Sequence, residues 1–304
     1  MFVGNTQIVE FFKGAIDSGH LGHAYCFAGL NQIGKRTLAK QLATQILSTT
    51  LEKLDSHPDF HYIERLTDEK TGKLKKDISI SQAREIKSRL QNRSWLGGYQ
   101  VVVLEEAELL NEESANSLLK ILEEPSAQSV LFLLAENEAA LLPTIRSRCQ
   151  TFYFSLVSKK EIADGLVIEG CEEERAKEIA EISWGRPGKA INYWRDSEKL
   201  NNYYLEKDRW EKIIYQSFSE RLTVAEELFN EKSDFIKNKE KLQEILDVWT
   251  ILGREGMLKQ IKSDTAGILS ATQWSQLIDS LREAKNLLDQ NINQRLLMEK
   301  VLLF

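Results

Sequence analysis

Apolar positions in the first half of the chain fall in short unbroken runs, separated by stretches of helical spacing. Ala24-Tyr25-Cys26-Phe27-Ala28 leads into glycines and then a helical Thr37–Ile46. Gln100-Val101-Val102-Val103-Leu104 precedes a segment in which Ala115, Leu118, Leu119 and Leu122 recur at helical spacing. Ser129–Leu134 and Gln150–Phe154 read as two further strands, with a short helical Leu141–Arg146 between them. Continuous apolar strands alternating with helices predict a parallel sheet buried on both faces.

After about Leu156 the strand signals fade. Lys159–Ile168 and Glu172–Ile182 predict two helices, stopped by Gly185-Arg186-Pro187-Gly188 before another helix from Lys189. From about Tyr204 to Phe304 the pattern is helical, with stripes such as Ile245, Val248, Trp249 and Leu252 and no proline beyond Pro187. The expected organisation is an α/β domain over 1–156, a small helical domain over 157–203 and an all-helical domain over 204–304. Glu64–Asp77, polar and centred on Gly72, predicts an exposed loop or hairpin.

Composition narrows the function classes. The 304 residues are 42% hydrophobic and 28% charged, with no apolar run near the length of a membrane span. The start, MFVGNTQIVEFF, lacks the pattern of a signal peptide, and Cys26, Cys149 and Cys171 are too few and scattered for a disulfide framework or a four-thiolate zinc site. A reduced, cytoplasmic protein with no membrane role is expected. The net charge of −6 argues against a chain that holds DNA alone, since phosphate neutralisation supplies most non-specific affinity.

Three segments carry candidate chemistry. Gly29-Leu-Asn-Gln-Ile-Gly34-Lys35-Arg36 follows a strand and opens a helix, the layout of a phosphate loop. There, backbone N–H groups converge on phosphate oxygens and the lysine reaches the outer phosphates. The next position, normally a magnesium-binding hydroxyl, is Arg36, with Thr37 after it. The strand over Val101–Leu104 ends in Glu105-Glu106, the place of a carboxylate pair that supports magnesium and polarises a water. Finally, Arg146 and Arg148 lie between a short helix and a strand, where a single arginine is far more often a solvated surface charge or a local ion-pair partner.

Together these segments resemble the AAA+ clamp-loader ATPases of bacteria. His23-Ala24-Tyr25, the run Asn116–Pro125 (NSLLKILEEP), Ser147-Arg148-Cys149, Gly185–Ala190 and Asn291–Leu302 are similar to five motifs of that family, in the same order. The resemblance implies an AAA+ domain, a small helical lid and a helical collar. It also implies that Arg148 reaches a neighbouring subunit's ATP as an arginine finger, and that Arg186 stands at the sensor-2 position. Family members often carry zinc-binding cysteines before a His-Pro-Asp segment. Here His57-Pro58-Asp59 is present and Ser48–Ser56 holds no cysteine, so no zinc is expected.

Four departures sort the chain within the family: Gln32 for a loop glycine, Arg36 for the magnesium hydroxyl, Glu105 for aspartate, and Ala135 for the sensor-1 threonine. Phosphoryl transfer needs positioning and charge neutralisation together. The degenerate site of Gly29, Gly34, Lys35, Thr37, Glu105, Glu106 and Arg186 is therefore expected to bind ATP weakly or not at all. Loss of this cis site with retention of Arg148 is the pattern expected of the delta-prime branch. It implies a non-hydrolysing subunit of the DNA polymerase III complex, partnered by motor (tau/gamma) and delta subunits, with the sliding clamp and primed DNA met through the complex. A diverged but active clamp-loader motor subunit or other AAA+ ATPase, and a structural adaptor without finger function, are the alternatives.

Overall fold

The computed structural model describes residues 2–67, 75–125, 128–229, 235–263, 269–288 and 293–303. The chain divides into two compact units, Met1–Arg195 and Asp196–Phe304.

The first unit opens with α1 (Thr6–Asp17), β1 (Ala24–Ala28), α2 (Lys35–Ile46) and the single turn α3 (Leu51–Leu54). It continues through β2 (Phe60–Ile63), α4 (Ile80–Gln91), β3 (Gln100–Leu104), α5 (Glu112–Glu123), β4 (Ser129–Ala135), α6 (Pro143–Arg146) and β5 (Gln150–Tyr153). The five strands pair in the order β2-β3-β4-β1-β5, all parallel. β1, β3 and β4 are buried along their whole length, as their unbroken apolar runs predict.

Alternate residues of each strand feed two cores. Ala24, Cys26, Ala28, Val102, Leu104, Leu131 and Leu133 meet Ala83, Ile86 and Leu90 of α4 and Ala115, Leu118 and Ile121 of α5. On the opposite face, Tyr25, Phe27, Val101, Val103 and Phe132 pack on Phe12 of α1 and Leu38, Ala39 and Leu42 of α2. The small side chains of β1 lie under α4 and α5, and its aromatic ones under α1 and α2.

β2, α1 and α4 are elements the hydrophobic pattern did not predict. β2 is an edge strand with a half-buried His61-Tyr62 centre, so it lacks an apolar run. α4 has only scattered apolar positions, and its start is fixed locally by a capping box between Ser79 and Gln82. α6 is shorter than the expected Leu141–Arg146, because Leu142 is its N-cap and Pro143 its first residue. Of the expected loop over Glu64–Asp77, residues 68–74, including Gly72, lie outside the described residues.

Three helices complete this unit: α7 (Lys159–Ile168), α8 (Glu173–Ile182) and α9 (Pro187–Arg195). They share a compact unit with the sheet.

The second unit is helical: α10 (Ser197–Tyr215), α11 (Phe218–Phe229), α12 (Phe235–Ser263), α13 (Ala271–Leu287) and α14 (Gln294–Val301). Residue 204, the expected start of this part, lies inside α10, whose N-cap Asp196 accepts from the backbone of Glu198 and Lys199. Ile245, Val248, Trp249 and Leu252 are buried in its core, with Trp249 at a centroid distance of 5.8 Å from Trp210. The stripe thus serves the unit's own interior. Asn291 and Ile292 of the expected C-terminal motif lie outside the described residues.

Candidate functional site: a degenerate phosphate loop and an exposed arginine

The phosphate loop joins β1 to α2, where parallel strands open a crevice at their carboxyl ends. Gly34 takes a φ of 111°, and a Cβ there would sit 2.9 Å from the Phe2 ring, so only glycine fits beneath that aromatic side chain. Gln32 adopts the left-handed region at φ 63°, a conformation glycine adopts without strain. Its carbonyl accepts a hydrogen bond of 2.8 Å from the Gly188 N–H at the start of α9. A Cβ on Gly188 would lie 2.8 Å from that same oxygen, so the helix start rests directly on the loop.

Every charged group of the loop has a partner within the chain. Lys35 is 6% exposed, and its Nζ donates to the Gly29 carbonyl and, at 3.1 Å, to the Leu30 carbonyl. Burial lowers the Lys35 pKa, opposed by the nearby carboxylates of Glu136, Glu105 and Glu108. Arg36 Nε donates to Glu105 at 3.0 Å, and its guanidinium lies 5.1 Å from the Tyr62 ring centroid. The Tyr62 hydroxyl donates to the same Glu105 oxygen; burial and that hydrogen bond both raise its pKa. Glu106 is gripped by Arg65 through two contacts of 2.6 and 2.8 Å.

The fold thus brings Gly29, Gly34, Lys35, Glu105 and Glu106 to one crevice, with Thr37 exposed on the first turn of α2. Ala135 pairs with Ala28 at the same sheet end and offers only a methyl group. Arg186, just before α9, stacks over Trp184 at 5.8 Å, and its Nη2 is buried without a hydrogen-bond partner among the described residues. Arg65 and Phe2 are members of this site that the sequence reading missed. Neither lies in a motif, and both reach it only through the fold.

Arg148 lies apart from this crevice. Its Nη2 donates to Glu123, the last residue of α5, at 2.5 Å, and its Nη1 to the Thr144 carbonyl at 3.0 Å and the Ser147 hydroxyl at 3.1 Å. The arginine side chain is 33% exposed and the glutamate 50%. The neighbouring motifs are partly structural: His23 Nε2 donates to the Leu122 carbonyl at 3.0 Å, tying two of them together. Burial pushes the thiols of Cys26 and Cys149 up to about 12, so neither is a nucleophile at neutral pH.

The His-Pro-Asp segment does something the sequence did not disclose. The buried Asp59 carboxylate accepts from Ser94 Oγ (2.9 Å), Trp95 N (2.7 Å), Leu96 N (3.2 Å) and Gln100 Nε2 (2.8 Å). It pins a loop whose Trp95 and Leu96 are 76% and 70% exposed. Asp59→Ala takes an acceptor from four donors, of which Leu96 N and Gln100 Nε2 keep a second one in Ser94 Oγ and the Arg93 carbonyl, and is expected to destabilise the chain by about 2–4 kcal/mol. Urea denaturation should show a lower midpoint at unchanged slope; an unaltered midpoint would deny the carboxylate its anchoring role.

Among the described residues no helix is long and apolar enough to cross a membrane, and no group of His, Cys, Asp and Glu could hold a metal ion. Strand order, phosphate loop and Glu105-Glu106 together define an AAA+ α/β domain followed by a helical C-terminal part. A gamma subunit-related protein of DNA polymerase III from Thermotoga maritima shares this fold: TM-score 0.51, 16% identity, 97% of each chain covered. Residues 4–158, more than half of the chain, match the family described as DNA polymerase III, delta subunit, and the chain belongs to that family.

Among relatives, it is 38% identical over 141 residues to DNA polymerase III subunit delta' of Pseudomonas aeruginosa, which is 42% of this chain and 41% of that one. The match therefore spans less than half of that relative. With the protein of the same name in Bacillus subtilis the identity is 26% over 325 positions, covering 98% of this chain and 94% of the relative.

Proposed function

We infer that this chain is a delta-prime-type subunit of a cytoplasmic clamp loader, which supports ATP-dependent loading of a sliding clamp onto primed DNA without hydrolysing ATP itself. Its partners on this reading are the motor (tau/gamma) and delta subunits, with clamp and DNA met through the assembly. Family membership and the delta'-named relatives support the assignment. The observation that carries it is the phosphate loop, whose Lys35 and Arg36 are both engaged within the chain, beside a retained Arg148 whose side chain is one-third exposed and held by an ion pair to Glu123.

The residues of the cis site do not fit a magnesium nucleotide. A guanidinium stands where a hydroxyl would ligate the cation, and it is already paired with Glu105, the first carboxylate of the pair. Phe2 covers Gly34, and Lys35 is spent on the loop's own carbonyls. Millimolar ATP, with or without magnesium, should therefore leave the melting temperature of the isolated chain unchanged. A ligand at a hundred times its Kd would add about 2.7 kcal/mol. A rise of several degrees that disappears in Lys35→Ala would instead establish a working nucleotide site.

A passive adaptor is the second reading, favoured by the Arg148–Glu123 pair, which already satisfies the arginine within its own chain. ATP turnover by motor subunits reconstituted with wild-type or Arg148→Ala chain separates the two.

A further inference from the structure

The Arg148 guanidinium is not free in the chain, and the identity of its partner is physically informative. Glu123 closes α5, where the helix dipole presents its negative end, so a carboxylate there gains nothing from the helix. Glu124 adds a second negative charge beside it, with Lys120 the only basic residue of the last turn. A cation is needed at this place, and Arg148 supplies it across 2.5 Å.

The contact also falls on a particular atom. A guanidinium has five N–H donors, arranged so that a phosphate or carboxylate is gripped by two of them in parallel. Nη2 contributes to both of those two-pronged faces, and it is the nitrogen that Glu123 engages. Nη1 is held by the Thr144 carbonyl and the Ser147 hydroxyl, which fix the side chain's direction without adding a charge. An incoming phosphate must share Nη2 with Glu123 or replace it. The pair is half exposed, hence weak enough to be exchanged for a stronger bidentate anion.

We propose that Glu123 is a restraining counter-charge for Arg148, holding the guanidinium in reserve until a neighbouring subunit's phosphate displaces it. This rests on the reading of Arg148 as a finger acting in trans. Glu123 is then a positioning residue: it sets how readily the arginine is surrendered and touches no nucleotide itself. Glu123→Gln keeps the size and a hydrogen-bond acceptor but removes the competing charge.

The test is steady-state ATP hydrolysis, over a range of ATP concentrations, by the complex reconstituted from full-length chain, motor and delta subunits, clamp and primed DNA. Four versions of the chain are compared: wild type, Glu123→Gln, Arg148→Ala and the double variant. Glu123→Gln is expected to raise kcat/KM about two- to fivefold, the size of effect an exposed ion pair commands, chiefly through a higher kcat, since the finger acts where charge develops. The double variant should fall to the level of Arg148→Ala. A gain of this kind cannot arise from damaged folding.

Glu123→Gln at or below wild type, with Arg148→Ala impaired, overturns the restraint and leaves the finger standing. A gain that persists in the double variant overturns it too, since the effect would then bypass Arg148. Wild-type turnover in Arg148→Ala removes the finger reading and this inference with it.

Discussion

Arg148→Ala is expected to leave the chain folded and assembled while slowing hydrolysis about a thousandfold at the one ATP site that faces it. The two halves of that expectation come from different physics. Stability should barely change, because the Arg148–Glu123 pair is solvent-exposed and such pairs contribute less than about 1 kcal/mol. Rate should change greatly, because a planar, permanently charged fork at a transferring phosphate acts only where charge develops, in a site closed to water. Lysine at 148 should restore little, since an ammonium keeps the charge and loses the fork. The measurement is turnover and clamp loading by a reconstituted complex at saturating ATP, alongside the melting temperature of each variant. If the sites fire independently, total turnover falls by one site's share; if they fire in sequence, loading stops. Wild-type turnover and loading would leave Arg148 as a surface charge.

The sheet was legible because β1, β3 and β4 are buried on both faces, which forces unbroken apolar runs onto the sequence. β2 was not, because an edge strand carries His61 and Tyr62 at half-buried positions and shows no run. The site was legible in its members and not in its logic. Arg36 and Glu105 read as two separate departures from a phosphate-binding pattern, 69 residues apart in the chain. In the fold they are one feature: the arginine and the glutamate, one methylene longer than aspartate, meet at 3.0 Å. Tyr62, on the unrecognised strand β2, closes the same cluster. Phe2 and the Gln32–Gly188 contact were out of reach for a different reason. One lays a ring over the loop and the other ties the loop's backbone to the start of α9, and neither leaves a periodicity or a motif to read.

Deleting residues 196–304 is expected to yield a folded fragment that no longer co-purifies with its partner subunits. Folding should survive because both cores of the sheet domain lie wholly within Met1–Arg195, a compact unit in its own right. Loss of assembly follows from assigning partner contacts to the helical unit, whose resemblance to clamp-loader collars is otherwise without a task. That unit covers its own interior: Leu246, Trp249, Leu277, Leu281 and Met298 are fully buried, so the helical stripe visible in the sequence cannot be the contact surface. What remains outward-facing includes Leu258 and Ile261, three residues apart on α12 and therefore neighbours on one helix face. Replacing both with glutamate in the full-length chain should weaken assembly without shifting the melting temperature, since neither belongs to the core. A fragment of residues 1–195 that assembles as well as the whole chain would move the partner contacts to the sheet-bearing unit. Assembly lost in the fragment and kept in the double variant would place them elsewhere on the helical surface. Only loss in both, with cooperative melting retained in both, ties the α12 face to the partner subunits.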